Sequence, residues 1–139
     1  MYFPFVYFAT FRDPQTLNYC FVAGNFQGTP TQQQKVADVI VEWERYANIT
    51  FNRVDGPNAE IRITFDPNGG SNAVPGTTVI NSDDPLKPTM NLSRIKSGSP
   101  KKIADLERGY ILHEFGHVLG FYHEHQSPFF EKQISMKSE

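Results

Sequence analysis

The sequence predicts an α/β (α+β) domain with one mixed, twisted sheet of about five strands and two main helices. Short segments rich in β-branched and aromatic residues alternate with polar turns, and two longer segments repeat apolar residues at three- and four-residue steps. Their order along the chain is strand, helix, several strands and helix. The chain has 139 residues, of which 39% are hydrophobic and 20% are charged, so it can form one domain with a substantial core.

Five segments have the composition of strands. The first predicted strand covers residues 17–23, and the second covers residues 49–54. Apolar residues then alternate in the third strand, residues 61–65, which ends at an Asp-Pro-Asn-Gly-Gly turn. Two short candidates follow, residues 77–81 and 89–93. Four of the five predicted strands therefore lie between the two helices in the sequence.

The first helix is predicted at about residues 31–47. Thr31 and Gln34 have the spacing of a capping box, in which side chain and backbone cap each other at the start of a helix. Apolar residues recur on one face of the segment and predict a buried stripe: Val36, Val39, Ile40, Trp43 and Tyr46. Trp43 is therefore interpreted as a core residue.

The second helix is predicted at about residues 100–120. Ser99 can act as its N-cap with Pro100 in the first helical position, although Asp105 could start the helix later. One face of this segment carries Ile103, Leu106, Tyr110, His113 and His117. The two histidines thus share a helix face with three apolar or aromatic residues.

Charge and composition exclude several classes of protein. Thirteen basic against 15 acidic side chains give a net charge of −2, so no basic excess is available for nucleic acid or an anionic membrane. No apolar run approaches the ~20 residues of a transmembrane helix. Cys20 is the only cysteine, which excludes an intrachain disulfide. We interpret it as a small buried residue of the first strand, with a zinc-binding thiolate as the alternative.

Residues 113–123 read His-Glu-Phe-Gly-His-Val-Leu-Gly-Phe-Tyr-His and carry the spacing of a zinc site. On a helix, His113 and His117 project from one face one turn apart, as two imidazole ligands of one Zn²⁺ require. Gly120 can end the helix, so that the chain turns and His123 returns as a third ligand. Three protein ligands leave a fourth position open, which is typical of catalytic rather than structural zinc.

Glu114 follows the first ligand and can lie beside the metal without binding it. A carboxylate in that position can take a proton from water and pass it to a leaving amine. The alternative is a helix that merely carries core or surface histidines. Because three of the four histidines of the chain fall at ligand spacing, the sequence favours the zinc site.

The same residues resemble a known family. HEFGHVLGFYH matches the HExxHxxGxxH signature of the metzincin zinc endopeptidases, and the continuation HEHQSP resembles the astacin-like metallopeptidases of bacteria and fungi. Upstream, QQQKVADVIVEWERYANITF resembles the first helix and second strand of that family, AEIRITFDPNGGS its third strand and following loop, and PTMNL the segment before the zinc helix. The resemblance covers about residues 17–128.

The resemblance implies a zincin-like fold, the N-terminal subdomain of a metzincin, and the activity of a metalloendopeptidase that hydrolyses internal peptide bonds. His113, His117 and His123 would bind Zn²⁺, and Glu114 would be the catalytic base and acid. An edge strand near residues 69–76 would pair with a peptide or protein substrate through main-chain hydrogen bonds. The substrate-binding residues expected there are Ser71, Asn72, Ala73 and Val74.

Two departures from the family keep a second interpretation open. Pro75 removes a backbone donor from the region that would bind substrate. Few residues follow His123, and among them Met136 is the one candidate for the methionine turn that metzincins have beneath the zinc. The alternative is a truncated, catalytically weak or inactive zinc-binding relative that acts as a peptide- or protein-binding module. A zinc hydrolase of other bonds has no positive feature in the sequence.

We expect one metallopeptidase catalytic domain over residues 1–139. Residues 1–16 would be an N-terminal segment without a match in the family, and residues 124–139 a short tail in place of the C-terminal subdomain. The resemblance favours an extracellular protein, whereas the first residues lack the cationic start and the cleavage site of a signal peptide. Localisation, oligomeric state and cleavage preference therefore stay open.

Overall fold

A computed structural model describes residues 15–74, 84, 86–99 and 102–120. The elements of this part of the chain are, in order, β1 (Gln15–Phe21), α1 (Pro30–Glu44), β2 (Ile49–Arg53), β3 (Ile61–Thr64), β4 (Asn72–Ala73), β5 (Met90–Asn91) and α2 (Asp105–Val118). The predicted strand at 77–81 lies outside the described residues. None of the helices described is long and apolar enough to cross a membrane.

The strands form one mixed sheet in the order β2-β1-β3-β5-β4. Strand β1 pairs in parallel with β2 and β3, and β3 pairs in parallel with β5. Strand β4 runs antiparallel to β5 and lies at the edge of the sheet. The predicted class, a mixed five-stranded sheet with two helices, is therefore confirmed. The strand predicted at 89–93 corresponds to β5, which is shorter than predicted.

The core lies where α1 and α2 pack together with the sheet. Its members with at most 1% exposed surface include Leu17 on β1, Ile61 and Ile63 on β3, Val36 on α1 and Phe115 on α2. Burying each such side chain contributes roughly 1.5–3 kcal/mol. The core therefore connects the helix that carries the histidines directly to the sheet.

The structure confirms that Trp43 is a core residue. Its side chain is 7% exposed, and its indole N–H donates to the carbonyl of Leu112 at 2.9 Å. Phe51 of β2 meets Phe115 of α2 edge to face, with ring centroids 5.2 Å apart. These contacts tie α2 to both α1 and the sheet.

The boundaries of α1 differ from the prediction at both ends. The capping box is Thr29 with Gln32, not Thr31 with Gln34: the Thr29 hydroxyl accepts from the Gln32 N–H at 3.2 Å, and the Gln32 side chain accepts from the Thr29 N–H at 2.8 Å. Pro30 explains the shift, because proline lacks an N–H and suits the first helical position. The helix ends at Glu44, so Tyr46 leaves the stripe and is 81% exposed.

Helix α2 starts at Asp105, the later of the two predicted starts. Ala104 occupies the N-cap in place of Ser99, and the Glu107 side chain accepts the Ala104 N–H at 3.3 Å. Leu106, which shares a helix face with Tyr110 and the two histidines, is 73% exposed. The buried face instead carries Glu107, Ile111, Leu112, Glu114, Phe115, Gly116 and Val118. The two histidines are half-buried beside it.

A buried ion pair fixes the start of α2 against α1. Lys35 is 1% exposed, and its Nζ lies 3.0 and 3.1 Å from the two carboxylate oxygens of Glu107. Lys35 also donates to the Lys96 carbonyl at 2.9 Å, while Glu107 accepts the Lys96 N–H at 2.8 Å. The ammonium of Lys35 and both carboxylate oxygens of Glu107 thus have hydrogen-bond partners, which is the condition under which buried charge is tolerated.

Candidate active site

Helix α2 brings two ring nitrogens together. The Nε2 atoms of His113 and His117 lie 3.1 Å apart, and the ring planes are nearly perpendicular with centroids 4.6 Å apart. Two nitrogen ligands of a tetrahedral zinc site, each about 2.0–2.1 Å from the metal, lie roughly 3.3 Å apart. The observed spacing therefore suits two ligands of one ion, and zinc binding by these two residues stays a prediction.

The chain turns directly after the second histidine. Gly120 has φ 95°, a left-handed conformation that glycine adopts without strain. Its N–H donates to the His117 carbonyl at 2.9 Å, which closes the end of the helix. The turn at Gly120 is thus as predicted.

The predicted third ligand, His123, lies outside the described residues, as does Met136. Among the residues that the structure describes, no group of three His, Cys, Asp or Glu side chains could hold a metal ion. The role of His123 stays a prediction.

Glu114, the residue that follows His113, lies on the buried face of α2. Its side chain is 5% exposed, and within the described part of the chain its Oε2 is buried without a hydrogen-bond partner. Burial alone raises the pKa of Glu114 to about 7. A buried oxygen without a donor is costly in a protein interior, and such groups concentrate at sites with a chemical role.

These residues fit a zinc ion. Imidazole nitrogens are common zinc ligands, and a carboxylate beside them that lacks a protein donor is available to a proton of water or substrate. His113 and His117 lie on consecutive turns of α2, and Glu114 directly follows His113. The donor set and its spacing thus agree with a zinc centre.

The four predicted substrate-binding residues follow one another along the sheet edge. Asn72 and Ala73 form β4, and Val74 continues it by donating its N–H to the Thr89 carbonyl at 2.9 Å. Ser71 precedes the strand, and its hydroxyl lies 3.1 Å from the Ser93 hydroxyl. In the described sheet, β4 pairs on one side only, and it also contacts α2. An edge strand therefore lies beside the helix that carries the histidines.

Sequence reasoning overlooked one residue of this region. Asn91 on β5 is 7% exposed, and its amide makes four hydrogen bonds to the residues that lead into the edge strand. The one signal in the sequence was the central place of Asn91 in the short strand predicted at 89–93, whose residues alternate between polar and apolar. Cys20 is buried in β1 at 3% exposure, as the core interpretation predicted, and burial raises the pKa of its thiol.

Comparison with known proteins gave no matching family model. A curated relative, bone morphogenetic protein 1 of Xenopus laevis, is 25% identical over 119 residues, which are 83% of this chain and 14% of that protein. A solved structure of myroilysin is 30% identical with a TM-score of 0.73, and it covers 93% of this chain and 61% of the myroilysin chain. A crystal structure of myroilysin is 32% identical with a TM-score of 0.70, and the match covers 84% of this chain and 47% of the myroilysin chain.

These similarities confirm both the predicted fold and the predicted resemblance to the astacin-like metzincins. They relate the chain to metalloproteases as a class. The chain spans less than two thirds of each of these relatives.

Proposed function

We propose that this chain, a relative of the astacin-like metzincins, is the zinc-helix and substrate-strand part of a zinc-dependent metalloendopeptidase. The observation that carries the proposal is the arrangement on α2. The His113 and His117 nitrogens converge at 3.1 Å, and the buried Oε2 of Glu114, the residue after His113, has no partner among the described residues. Unlike a catalytic site, a purely structural metal site would not need that carboxylate.

In the proposed site His113, His117 and His123 hold the zinc ion. When bound, zinc supplies a Lewis acid that polarises the scissile carbonyl and the attacking water. His123 enters through its spacing in the sequence, three residues beyond the helix-ending Gly120. We include it because two ligands from one helix leave room for a third from the chain that follows the turn.

Glu114 moves the proton in this proposal. Its carboxylate takes a proton from the attacking water and delivers it to the leaving nitrogen when the peptide bond breaks. The low exposure of Glu114 supports this role, because a carboxylate shielded from bulk water exchanges its proton with groups inside the site. The packed Phe115 and Ile111, both 0% exposed, hold this turn of α2 in place.

The proposed substrate is an extended peptide or protein segment. It would pair with the edge strand formed by Ser71, Asn72, Ala73 and Val74 through main-chain hydrogen bonds, as an added strand of the sheet. The contact of β4 with α2 supports this arrangement, because the peptide backbone would then run past the histidines. On the family resemblance we also propose secretion, and one catalytic domain over residues 1–139.

The decisive experiment replaces Glu114 by Gln, which keeps the shape of the side chain and removes its basicity. We expect cleavage of a quenched peptide to fall by about 10²–10⁴-fold while the zinc content stays at that of the parent, because Glu114 is not a ligand. Glu42→Gln, a substitution of a carboxylate on α1, is the matched control and should cleave normally.

Two results would contradict the proposal. Unchanged cleavage by the Glu114→Gln variant would show that another group moves the proton. A parent chain that binds zinc and peptide but cleaves nothing, with or without a chelator, would favour the non-enzymatic binding module.

A further inference from the structure

Asn91 has a side-chain amide whose hydrogen-bonding capacity is fully used. Its Oδ1 accepts from the Asp66 N–H at 2.8 Å and from the Thr64 hydroxyl at 2.9 Å. Its Nδ2 donates to the carbonyls of Asp66 at 2.9 Å and Gly70 at 2.6 Å. An asparagine amide offers two donor hydrogens and two acceptor positions, so all four are satisfied at a residue that is 7% exposed.

The chain between β3 and β4 is folded closely around that amide. A Cβ atom added to Gly69 would lie 2.8 Å from the Asn91 Nδ2, so any side chain at position 69 would collide with the amide. Gly70 has φ 68°, which a residue with a side chain rarely adopts. The two consecutive glycines therefore allow the loop to reach Asn91, and Asn91 in turn satisfies the loop's carbonyls.

This loop ends where the edge strand begins. Asn72 pairs in register with Asn91, and Ala73 with Met90. Strand β4 has only two residues, so few ladder hydrogen bonds determine its position. The amide of Asn91 is hydrogen-bonded to Asp66 and Gly70, at the two ends of the loop before β4. These bonds help to fix the position of a strand that has few ladder hydrogen bonds of its own.

We propose that Asn91 is a positioning residue for the substrate: its amide sets the place of the edge strand on which an extended peptide pairs. The inference rests on the proposed function, since it takes β4 as the strand that binds substrate. A peptide that pairs with β4 needs the N–H and carbonyl groups of this strand at fixed positions relative to the zinc helix, because small displacements weaken every bond of the ladder.

Asn91→Asp tests the proposal without changing the shape of the side chain. An oxygen would then face the carbonyls of Asp66 and Gly70, so two donated hydrogen bonds become repulsive contacts. For a long quenched peptide that can span the edge strand, we expect kcat/KM to fall about tenfold or more, chiefly through KM. A short peptide restricted to the residues around the scissile bond should lose much less.

Asn52→Asp is the matched control. Asn52 lies on β2, the opposite edge of the sheet, where its exposed amide donates to the Asn18 side chain at 3.0 Å. This variant should cleave both peptides as the parent does. Zinc content should equal that of the parent in both variants, since neither asparagine is a proposed ligand.

A second pair of variants tests the proposal even if the Asn91→Asp variant does not fold. Gly69→Ala places a Cβ against the Asn91 amide, whereas a Cβ at Gly98 meets nothing within 4 Å. Amide hydrogen exchange then reports on the strand itself without any need for catalysis. We expect Gly69→Ala to lower the protection of the Val74 N–H and to leave the Val22 N–H, which donates to Ile63 in the sheet centre, unchanged. Gly98→Ala should alter neither.

The outcomes separate this proposal from the proposed function. Loss of exchange protection at Val74 in both Asn91→Asp and Gly69→Ala, with the larger loss of cleavage on the long peptide, supports it. Equal losses on long and short peptides, or unchanged protection at Val74, would overturn it. If the parent cleaves no peptide, the proposed function fails, while the exchange measurement still decides whether Asn91 holds the edge strand.

Discussion

Two glutamates on helix α2, Glu107 in its first turn and Glu114 beside the histidines, are equally buried at 5% exposure. Glu107 is surrounded by donors: the Lys35 ammonium and the backbone N–H groups of Lys96 and Ala104. Burial works to raise its pKa, but these hydrogen bonds and the Lys35 charge outweigh burial and lower it. For Glu114 burial raises the pKa to about 7, and none of the described residues donates to its Oε2.

The comparison shows that burial alone does not give a carboxylate its role. Glu107 has its charge compensated on every side, and it holds the start of the helix in place. Glu114 keeps an oxygen without a donor in the part of the chain that the structure describes, which leaves this oxygen available for a proton. One helix thus carries a structural acid at one end and a candidate catalytic acid near the other.

The largest expected effect comes from removing the partner of Glu107. Lys35→Met fills the same space but leaves the Glu107 carboxylate buried without its ion pair, which should lower the free energy of unfolding by about 3–5 kcal/mol. Urea unfolding measures this, with exposed Lys102→Met as the control. The double variant Lys35→Met/Glu107→Gln should recover part of the loss, and no recovery would argue against the ion pair as the cause.

A smaller effect follows from the opposite pKa shifts. In the metal-free chain the folded state holds the Glu114 proton more tightly than the unfolded state, so stability should fall as pH rises from 4.5 through about 7. Glu114→Gln should remove this decline, which a shift of that size puts at about 3 kcal/mol. The contribution of Glu107 has the opposite sign: it is present above pH 4.5, the ordinary pKa, and is lost as pH falls further.

The measurement is urea unfolding of the chelated chain across this pH range. Glu107→Gln serves as the control, because it should leave the decline caused by Glu114 in place while weakening the chain overall. A decline that persists in Glu114→Gln would assign it to another group.

The smallest effect is expected at the surface. Arg108 and Glu42 form an exposed ion pair that also joins α2 to α1, but water and salt screen exposed charges. Arg108→Ala should therefore unfold at nearly the same urea concentration as the parent. A loss as large as that of Lys35→Met would contradict the distinction between buried and exposed pairs.

Local patterns predicted much of this architecture, and the misses have local causes too. The strands β1, β2 and β3 were found from runs of β-branched and aromatic residues, and the two helices from apolar periodicity. The start of α1 was missed because both Thr29 and Thr31 have a glutamine three residues later, and Pro30 decides between them. Periodicity placed Leu106 on one helix face with Tyr110 and the two histidines, but it does not say how deeply each of these side chains is buried.

The residue sequence by itself determined that His113 and His117 come together, because the two residues are one helical turn apart. It also placed Glu114 next to them. Only the tertiary structure decided that Glu107 is compensated, since the compensating Lys35 comes from another helix, whereas no described residue donates to the Glu114 Oε2. The same holds for Asn91, whose partners Thr64, Asp66 and Gly70 are adjacent only in the folded sheet.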